Sequence, residues 1–338
     1  MATRATPDLR GARQGAQWAR TASVLQRQGV LIVLLAVFVL GVLRYGENFY
    51  SSFNLWELLR NNAYFGLIAL GMTFVIMTGG IDLSVGSVVA MSAVVAARLS
   101  PDGIYVATLG ALLAGLLAGL INGVIIARFR VQPFIITLAM LLAARGMALI
   151  LSDNATYPVD FRSGFVDIGQ REIGQVPLPV VIVIIAYVLG SILLNFTRFG
   201  RHVLAMGGNE EAARLAGLPI WRVTLGVYAI SGALAGLAGA ILAALSYSAS
   251  PISAVGWELS AIAAVVVGGT LLTGGMGSVG TTLVGVLLIG LIFNVLNFER
   301  GRGTFELNVY WENVIRGVFL LVVIILQSRL ARRSLGQV

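Results

Sequence analysis

The sequence predicts an all-α polytopic membrane protein with about ten transmembrane helices, and two observations support this prediction. First, 58% of the 338 residues are hydrophobic and only 11% are charged, whereas soluble domains are roughly half apolar and a quarter charged. Second, the apolar residues form long runs that contain no charge, such as 104–127 and 176–194. Because about 20 helical residues cross the hydrocarbon core of a bilayer, runs of this length indicate transmembrane helices.

The apolar runs divide into ten predicted spans, and two pairs of spans are nearly continuous. A glycine-rich break at residues 78–82 separates the second span from the third, and a similar break at residues 273–277 separates the eighth from the ninth. The predicted spans are 28–44, 61–78, 83–98, 104–127, 133–151, 176–195, 223–246, 257–272, 278–297 and 311–328. Together they predict a single transmembrane domain, residues 28–328.

The positions of the arginine residues predict the orientation in the membrane. All 23 basic residues are Arg. Most of them lie in four segments, which are 1–29, 128–132, 197–222 and 329–338. Cytoplasmic loops hold the excess of positive charge in membrane proteins, so both termini are expected inside (N-in/C-in), with cytoplasmic tails at 1–27 and 329–338. The first span is expected to remain as a helix, because no small-x-small cleavage site of a signal peptide lies before residues 45–50.

Several absences in the composition exclude whole classes of function. Without Lys the chain cannot form a P-loop that binds ATP, and without Cys it has no disulfide, thiolate zinc site or thiol nucleophile. His202 is the only histidine, so a multi-His metal site is impossible. We therefore predict no catalytic residue, no metal site and no cofactor on this chain. The net charge of +8 is better explained by membrane topology than by nucleic-acid binding.

Asp82 is the most conspicuous polar residue within the apolar sequence. A charge at the centre of a membrane helix costs roughly 2.5–3.5 kcal/mol on insertion scales, so such residues are rare and usually functional. One interpretation is that Asp82 caps the third span by accepting a hydrogen bond from the N–H of Ser84 or Val85. The other is that the break around it helps to gate a substrate path, because unwound backbone at membrane depth must be buried in protein or line a cavity.

The second glycine-rich break resembles the first. Thr78-Gly-Gly-Ile-Asp is similar to Thr273-Gly-Gly-Met-Gly, about 195 residues later in the sequence. Transporters are often built from internal repeats with broken helices near the functional path. The similarity therefore indicates either an internal repeat or a chance likeness between glycine-rich membrane segments.

The longest polar inner loop, residues 197–222, contains the signals of a short helix. Asn209 is a favoured N-cap, and Glu210 and Arg214 are spaced for an i,i+4 ion pair. Gly217 suits the left-handed C-terminal cap, after which a proline prevents continuation. Such a two-turn helix must be held by packing, and it is either a structural helix on the cytoplasmic surface or a docking element for a cytoplasmic partner.

Glycines at every fourth position predict a close-packing face on each of two helices. Gly115-x-x-x-Gly119-x-x-x-Gly123 and Gly232-x-x-x-Gly236 have the spacing that lets membrane helices approach closely. Other polar residues within the predicted spans, some of which must pair or face water, are Asn61, Asn122, Arg145, Glu258, Asn294 and Arg316.

These segments closely resemble the permease subunits of bacterial ABC importers for monosaccharides, in the ribose, galactose and xylose branch. The resemblance follows the chain in order over residues 30–328. The matching segments are 71–87, 122–124, 131–138, 197–217 and 258–275. Within the family, residues 296–299 and 310–327 are most similar to galactofuranose-type permeases.

The resemblance implies a fold and a set of partners. The fold is the ten-helix, vitamin-B12-importer-type (type II) ABC permease fold in the bacterial inner membrane. The implied partners are a cytoplasmic ATP-binding cassette ATPase that binds ATP and Mg²⁺, a periplasmic sugar-binding protein, and a second permease in a homo- or heterodimer. The binding protein is expected to set most of the selectivity, so we predict few sugar-contacting groups and no dense polar pocket in this chain.

The resemblance also assigns functional positions. The segment matched to the family's ATPase-coupling helix includes Gly207, Gly208, Asn209, Glu210, Glu211, Ala212, Ala213, Arg214 and Gly217. The positions that we predict to gate or line the translocation path are Gly79, Gly80, Asp82, Ser84, Gly86, Phe134, Gly274, Gly275 and Asn294.

An ion-coupled secondary sugar transporter is the alternative on composition alone. Such a transporter would need coupling carboxylates or a cation site within the spans, and Asp82 is the only strong candidate. A membrane-embedded enzyme would need a catalytic cluster, which the composition does not offer.

Overall fold

The computed structural model describes residues 29–302 together with residues 311, 314, 317, 318 and 321, and the described part is a bundle of helices. The helices are α1 (Gly29–Tyr45), α2 (Glu47–Tyr50), α3 (Ser52–Met77), α4 (Val85–Leu99), α5 (Ile104–Phe129), α6 (Pro133–Leu151), α7 (Asp167–Gln170), α8 (Leu178–Phe196), α9 (Arg198–Gly208), α10 (Glu210–Leu215), α11 (Ile220–Leu245), α12 (Trp257–Val267) and α13 (Val279–Arg302). A single 3₁₀ turn, Ser100–Asp102, connects α4 to α5.

Four two-residue strands add to the predicted all-α fold. They are β1 (Tyr157–Pro158), β2 (Glu172–Ile173), β3 (Val176–Pro177) and β4 (Ser248–Ala249). β1 pairs antiparallel with β4, and β2 pairs antiparallel with β3. The sequence did not predict these pairings because two residues are too few to show the alternating pattern of a strand. The β1–β4 pair joins the loops after α6 and α11 at one end of the bundle, and the β2–β3 pair is a hairpin between α7 and α8.

Five of the described helices, α5, α6, α8, α11 and α13, are long and apolar enough to cross a membrane. The predicted spans 28–44, 61–78, 83–98 and 257–272 fall on α1, α3, α4 and α12, of which α12 is shorter than predicted. It ends at Val267 because the chain turns at Gly268 and Gly269, where the N–H of Thr270 donates back to the carbonyl of Val265. The tails 1–27 and 329–338 and most of the predicted span 311–328, including Arg316, lie outside the described residues.

Helix α11 forms the centre of the bundle. It packs against α3, α4 and α5, and 67% of its most apolar segment is buried, compared with 17% for α6. Both helices are strongly apolar, so hydropathy alone does not distinguish a central helix from a peripheral one. In a membrane the driving force for packing comes from close fit rather than from removal of apolar surface from water.

The two predicted packing faces are confirmed, and the structure shows that they pack against each other, α5 against α11. A Cβ atom added at Gly115 would lie 2.2 Å from the carbonyl oxygen of Gly232, and one added at Gly232 would lie 2.2 Å from that of Gly115. Further along α5, a Cβ at Gly119 would lie 2.1 Å from the carbonyl oxygen of Tyr228. With further contacts at Ala111 and Gly123, the two backbones touch over about three helical turns, and no larger residue fits at these glycines.

The bundle has two distinct ends. At one end, which we call the strand end, lie the paired strands and the loops 153–177 and 246–256. At the other, which we call the α10 end, lie α9, α10 and the breaks that follow α3 and α12. The loops of the strand end are those predicted to face outward, and those of the α10 end are those predicted to face the cytoplasm.

The α5–α11 contact predicts the effect of a single added methyl group. Gly115→Ala should lower the thermal stability of the purified protein in detergent, because overpacking of this kind costs about 1–3 kcal/mol. Gly146→Ala in α6 is the matched control, since a Cβ there would have no neighbouring atom within 4 Å. Equal unfolding midpoints for the two variants would show that the two helices do not approach as closely as described.

Candidate functional site

The predicted short helix is present as α10, and its caps are confirmed. The Asn209 side chain accepts a hydrogen bond from the N–H of Ala212 at 2.9 Å. Glu210 and Arg214 form the predicted ion pair at 2.6 Å. At the other end Gly217 adopts a positive φ of 79°, and the N–H of Leu218 donates to the carbonyl of Ala213. Local capping interactions therefore define this helix, as its sequence indicated.

The segment before α10 forms a helix that the sequence analysis missed. Gly207 and Gly208, which we assigned to the coupling helix itself, are the last two residues of α9. The available signal was the spacing of Phe199, Val203 and Met206, which are four and three residues apart and lie on one face of a helix. Val203 and Met206 are buried, so this face anchors α9, and with it α10, to the bundle.

Gly207 lies where three chain segments meet, a contact that we call the glycine junction. Its members are Met77 at the end of α3, Gly207 at the end of α9 and Gly275 in the break after α12. The N–H of Gly275 donates to the carbonyl of Met77 at 2.9 Å. A Cβ added at Gly207 would lie 1.8 Å from that carbonyl oxygen and 2.5 Å from the nitrogen of Gly275. The helix next to α10 is therefore in direct backbone contact with both glycine-rich breaks.

The two breaks also contact each other directly. A Cβ added at Gly274 would lie 2.7 Å from the nitrogen of Gly79, and both glycines have positive φ angles, 84° and 79°. The structure thus brings together Gly79, Gly274, Gly275 and Gly207 from distant parts of the sequence. A displacement of α9 and α10 would have to be accommodated by both breaks at once, because packed backbones cannot deform continuously.

Asp82 lies in the first break and is 2% exposed. Its Oδ1 accepts hydrogen bonds from the N–H of Ser84 at 3.0 Å and from the Ser84 hydroxyl at 2.6 Å. Its Oδ2 accepts one from the hydroxyl of Ser231 on α11 at 2.8 Å. Asn122 on α5 donates to the Ser84 oxygen at 3.0 Å. The capping interpretation is therefore confirmed for Ser84. The same carboxylate bonds to α11 through Ser231, and Ser84 in turn bonds to α5 through Asn122.

The remaining predicted path residues lie in different places. A Cβ at Gly80 would lie 2.7 Å from the Tyr228 hydroxyl, and one at Gly86 would lie 2.4 Å from the carbonyl oxygen of Ala254. Phe134 is 52% exposed at the start of α6 and does not line the cavity described next. Asn294 does line it, and forms a reciprocal carboxamide pair with Asn54 at 3.0 and 3.2 Å.

A polar cavity of about 770 Å³ lies between α3, α12 and α13, beside the turn from α1 to α2. Ligand sites typically measure about 300–1,000 Å³. Its polar lining consists of Asn48, Asn54, Glu57, Asn61, Asn62, Ser260, Asn294 and Asn297, and its aromatic lining of Tyr45, Tyr64, Phe65, Trp257, Phe293 and Phe298. The sequence showed no dense polar pocket, whereas the structure groups eight polar side chains with aromatic ones around this cavity. The sequence did not reveal this grouping because the contributing residues lie far apart along the chain; Asn54 and Asn294, for example, are 240 positions apart.

The glycine junction predicts that the neighbouring residues Gly207 and Gly208 differ in how well they tolerate alanine. Gly207→Ala should sharply reduce the yield or thermal stability of the folded protein, because the new methyl group would overlap two backbone atoms that cannot rotate away. Gly208→Ala should leave both near the parent value, since a Cβ there would meet no atom within 4 Å. The two variants differ by one position and can be compared in detergent by thermal unfolding. If Gly207→Ala is as stable as Gly208→Ala, α9 does not contact the breaks as described.

The hydrogen bonds of Asp82 predict that different substitutions at this position destabilise the protein to different extents. Asp82→Ala should destabilise the protein by several kcal/mol, because about 1–3 kcal/mol is lost for each buried donor left without an acceptor. Asp82→Asn should cost less, since a carboxamide oxygen can still accept from Ser84. Asp102→Ala, at an exposed carboxylate beyond α4, is the control and should have little effect. Equal stability of Asp82→Ala and Asp102→Ala would contradict these hydrogen bonds.

Comparison with known proteins identifies the family. A family model described as "Branched-chain amino acid transport system / permease component" matches residues 54–324. The ribose import permease protein RbsC of Bacillus subtilis is 38% identical over 310 residues, which cover 90% of this chain and 94% of the relative. RbsC of Escherichia coli K12 is 36% identical over 320 residues, covering 93% and 97%. The L-arabinose permease AraH of Azospirillum brasilense is 36% identical over 306 residues, covering 89% and 87%.

These similarities extend over nearly the full length of each protein and include α10, the glycine junction and the residues that line the cavity. All three relatives are transport permeases, and the described helices include five that are long and apolar enough to cross a membrane. The chain therefore belongs to the family of ABC-importer permease components that this model describes, and it is a multi-pass transport subunit rather than an enzyme.

Proposed function

We propose that this chain is the membrane-spanning permease subunit of an ATP-driven importer that moves a monosaccharide, either a pentose or a hexose, across the bacterial inner membrane. The observation that best supports the proposal is the near-full-length similarity to permeases of ribose and L-arabinose import. The family description names branched-chain amino acids, but the similar relatives whose substrates are named transport sugars. The resemblance of residues 296–299 and 310–327 to galactofuranose-type permeases stays a prediction.

The proposed complex contains the partners that such an importer requires. Because this chain has no Lys, ATP hydrolysis must occur on a separate cassette ATPase. A periplasmic sugar-binding protein delivers the substrate, and a second permease, identical or different, completes the membrane pathway. No cofactor is held by this chain itself in this proposal.

The proposed fold is the type II permease fold with ten spans and both termini in the cytoplasm. Nine of the predicted spans coincide with helices among residues 29–302, which supports the number. The arginine-rich loop 197–222 contains α9 and α10 at one end of the bundle, as the positive-inside rule requires of a cytoplasmic loop.

The ATPase is proposed to dock on α10. Ala213 is buried against the bundle, whereas Leu215 on the same helix is 82% exposed. An apolar side chain on a short, well-capped and exposed helix is suited to insert into a groove of a partner. Movement of α10 would pass through α9 to the glycine junction, and thus to the two breaks that are proposed to gate the path.

The ion-coupled alternative depends on Asp82, and its contacts argue against that role. Both carboxylate oxygens are already engaged by the hydroxyl and amide groups of Ser84 and Ser231. A carboxylate that is satisfied in this way and ties three helices together is suited to hold structure, whereas a coupling site has to exchange its ligand during each cycle.

The proposal predicts uptake that requires every component. Sealed vesicles that contain this chain should accumulate a radiolabelled monosaccharide only when ATP, the ATPase and the binding protein are all present, without any ion gradient. Omission of each component in turn provides the controls. Uptake by this chain alone, following an imposed H⁺ or Na⁺ gradient, would refute the importer and favour a secondary transporter.

The proposed docking site predicts that a change on α10 prevents binding of the ATPase without affecting folding. Leu215→Asp should abolish co-purification of the ATPase with the permease while leaving the unfolding midpoint unchanged, because the side chain has little contact with its own bundle. Ile252→Asp is the matched control, since Ile252 is 68% exposed at the strand end. Loss of the ATPase from both variants, or from neither, would show that α10 is not the docking site.

A further inference from the structure

The cavity between α3, α12 and α13 has polar groups suited to an uncharged ligand with many hydroxyl groups. Six of its lining residues are asparagines, and each carboxamide can both donate and accept hydrogen bonds, as a hydroxyl group does. Asn54 and Asn294 hold each other in place, and the N–H₂ group of Asn62 is fixed by the carbonyl of Leu58 at 2.7 Å. The carboxamides are therefore partly preorganised, which reduces the entropy lost on binding.

Asn62 is also fixed by close packing. A Cβ added at Gly290 on α13 would lie 2.6 Å from three atoms of the Asn62 carboxamide. The glycine thus allows the carboxamide to lie flat against α13, facing the cavity that both residues line. A larger residue at position 290 would displace it.

An aromatic pair forms part of the wall of the cavity. The rings of Tyr64 on α3 and Trp257 on α12 are stacked, with centroids 4.9 Å apart and planes within 9°. Both residues are half-buried and line the cavity together with Ser260, which is 2% exposed. An aromatic wall beside several polar groups suits a ligand that has both an apolar face and hydroxyl groups, such as a sugar ring.

The charges of the described lining suit an uncharged ligand better than a zwitterionic one. Among the described residues that line it, Glu57 is the only acidic residue and there is no basic one. Glu57 accepts a hydrogen bond from Asn61 at 2.8 Å and lies 3.5 Å from Arg60. An amino acid would bring a carboxylate that finds no cation in this lining, and burial of an unpaired charge is costly. This cavity is therefore unsuited to the branched-chain amino acids in the family description.

Two helices connect the cavity to the glycine junction. Tyr64 lies in the middle of α3, which ends at Met77, and Trp257 begins α12, which leads into the break that contains Gly275. At about 1.5 Å per residue, the 11-residue α12 covers only about 16 Å. Any movement of the junction would therefore reach both aromatic residues along α3 and α12.

We propose that this cavity is a monosaccharide-binding site within the permease itself, in which one sugar ring lies against the Tyr64–Trp257 pair and is held by the surrounding carboxamides. The proposal rests on the proposed function, since it names the site that receives the substrate from the strand end. A transient site of this kind needs only weak affinity, because a transported substrate has to leave it again.

Saturation-transfer NMR can test the site directly. The permease–ATPase complex in lipid nanodiscs, without binding protein and without ATP, is mixed with D-ribose, L-arabinose, D-xylose or D-galactose, and separately with L-leucine. At least one aldose should receive saturation, and L-leucine should not. Trp257→Ala should weaken the signal about five-fold or more, as expected for the loss of a central aromatic contact.

Two further variants separate binding from folding. Asn297→Leu removes an exposed carboxamide of the lining, so it should weaken the signal without lowering the unfolding midpoint. Phe161→Ala is the matched control, because Phe161 forms the comparable stacked pair with Tyr247, 5.5 Å apart, outside the cavity. It should leave the signal unchanged.

The outcomes distinguish this proposal from the proposed function. Absence of saturation for all four aldoses, equal saturation of L-leucine, or a signal that survives both Trp257→Ala and Asn297→Leu would overturn the cavity site. If ATP-driven sugar uptake in vesicles persists in that case, the importer stands and only the site is wrong. If the uptake itself fails, the proposed function is refuted whatever the cavity binds.

Discussion

The hydrogen bonding of non-helical backbone inside the bundle is the constraint on which the rest of this structure depends. A buried peptide group that leaves a helix has to find another hydrogen-bond partner. The two glycine-rich breaks satisfy part of this need through each other, because the N–H of Gly275 donates to the carbonyl of Met77. Further bonds close each break locally, from Gly80 to Val75 and from Thr270 to Val265. Only glycine has room where these backbones touch. Because the breaks carry glycines there, the end of α9 at Gly207 also comes into contact with them.

Through these contacts, the proposed coupling, gating and binding elements form one connected series of packed helices. α10 is joined to α9, α9 touches the junction, and α3 and α12 lead from the junction to the aromatic pair of the cavity. On the other side of the first break, Asp82 bonds to Ser231 of α11, and Ser84 at the start of α4 bonds to Asn122 of α5. Coupling between two sites needs an element with two discrete arrangements rather than mere proximity, and the mutually bonded breaks are suited to be that element.

Sequence reasoning succeeded where the signal is local and failed where it is not. The caps of α10 were predicted residue by residue, because capping bonds join residues only three to five positions apart. The glycine faces of α5 and α11 were also visible, since their spacing repeats within each helix, but that these faces meet was not. Helix α9 was missed because its glycines concealed a helical spacing of Phe199, Val203 and Met206. The end of α12 was placed too late, because hydropathy continues through residues at which the backbone turns.

The sequence by itself determined the class of the protein, its membrane-crossing helices, the helix that is proposed to dock the ATPase, and the buried position of Asp82. These properties follow from hydropathy, charge and capping, which act within one segment of chain. Only the tertiary structure decided that Gly79, Gly207 and Gly275 meet and that asparagines of α3 and α13 surround one cavity with Trp257. Such contacts join residues as many as 240 positions apart, and helices that are apolar on every side give no sign in their sequence of which faces will pack together.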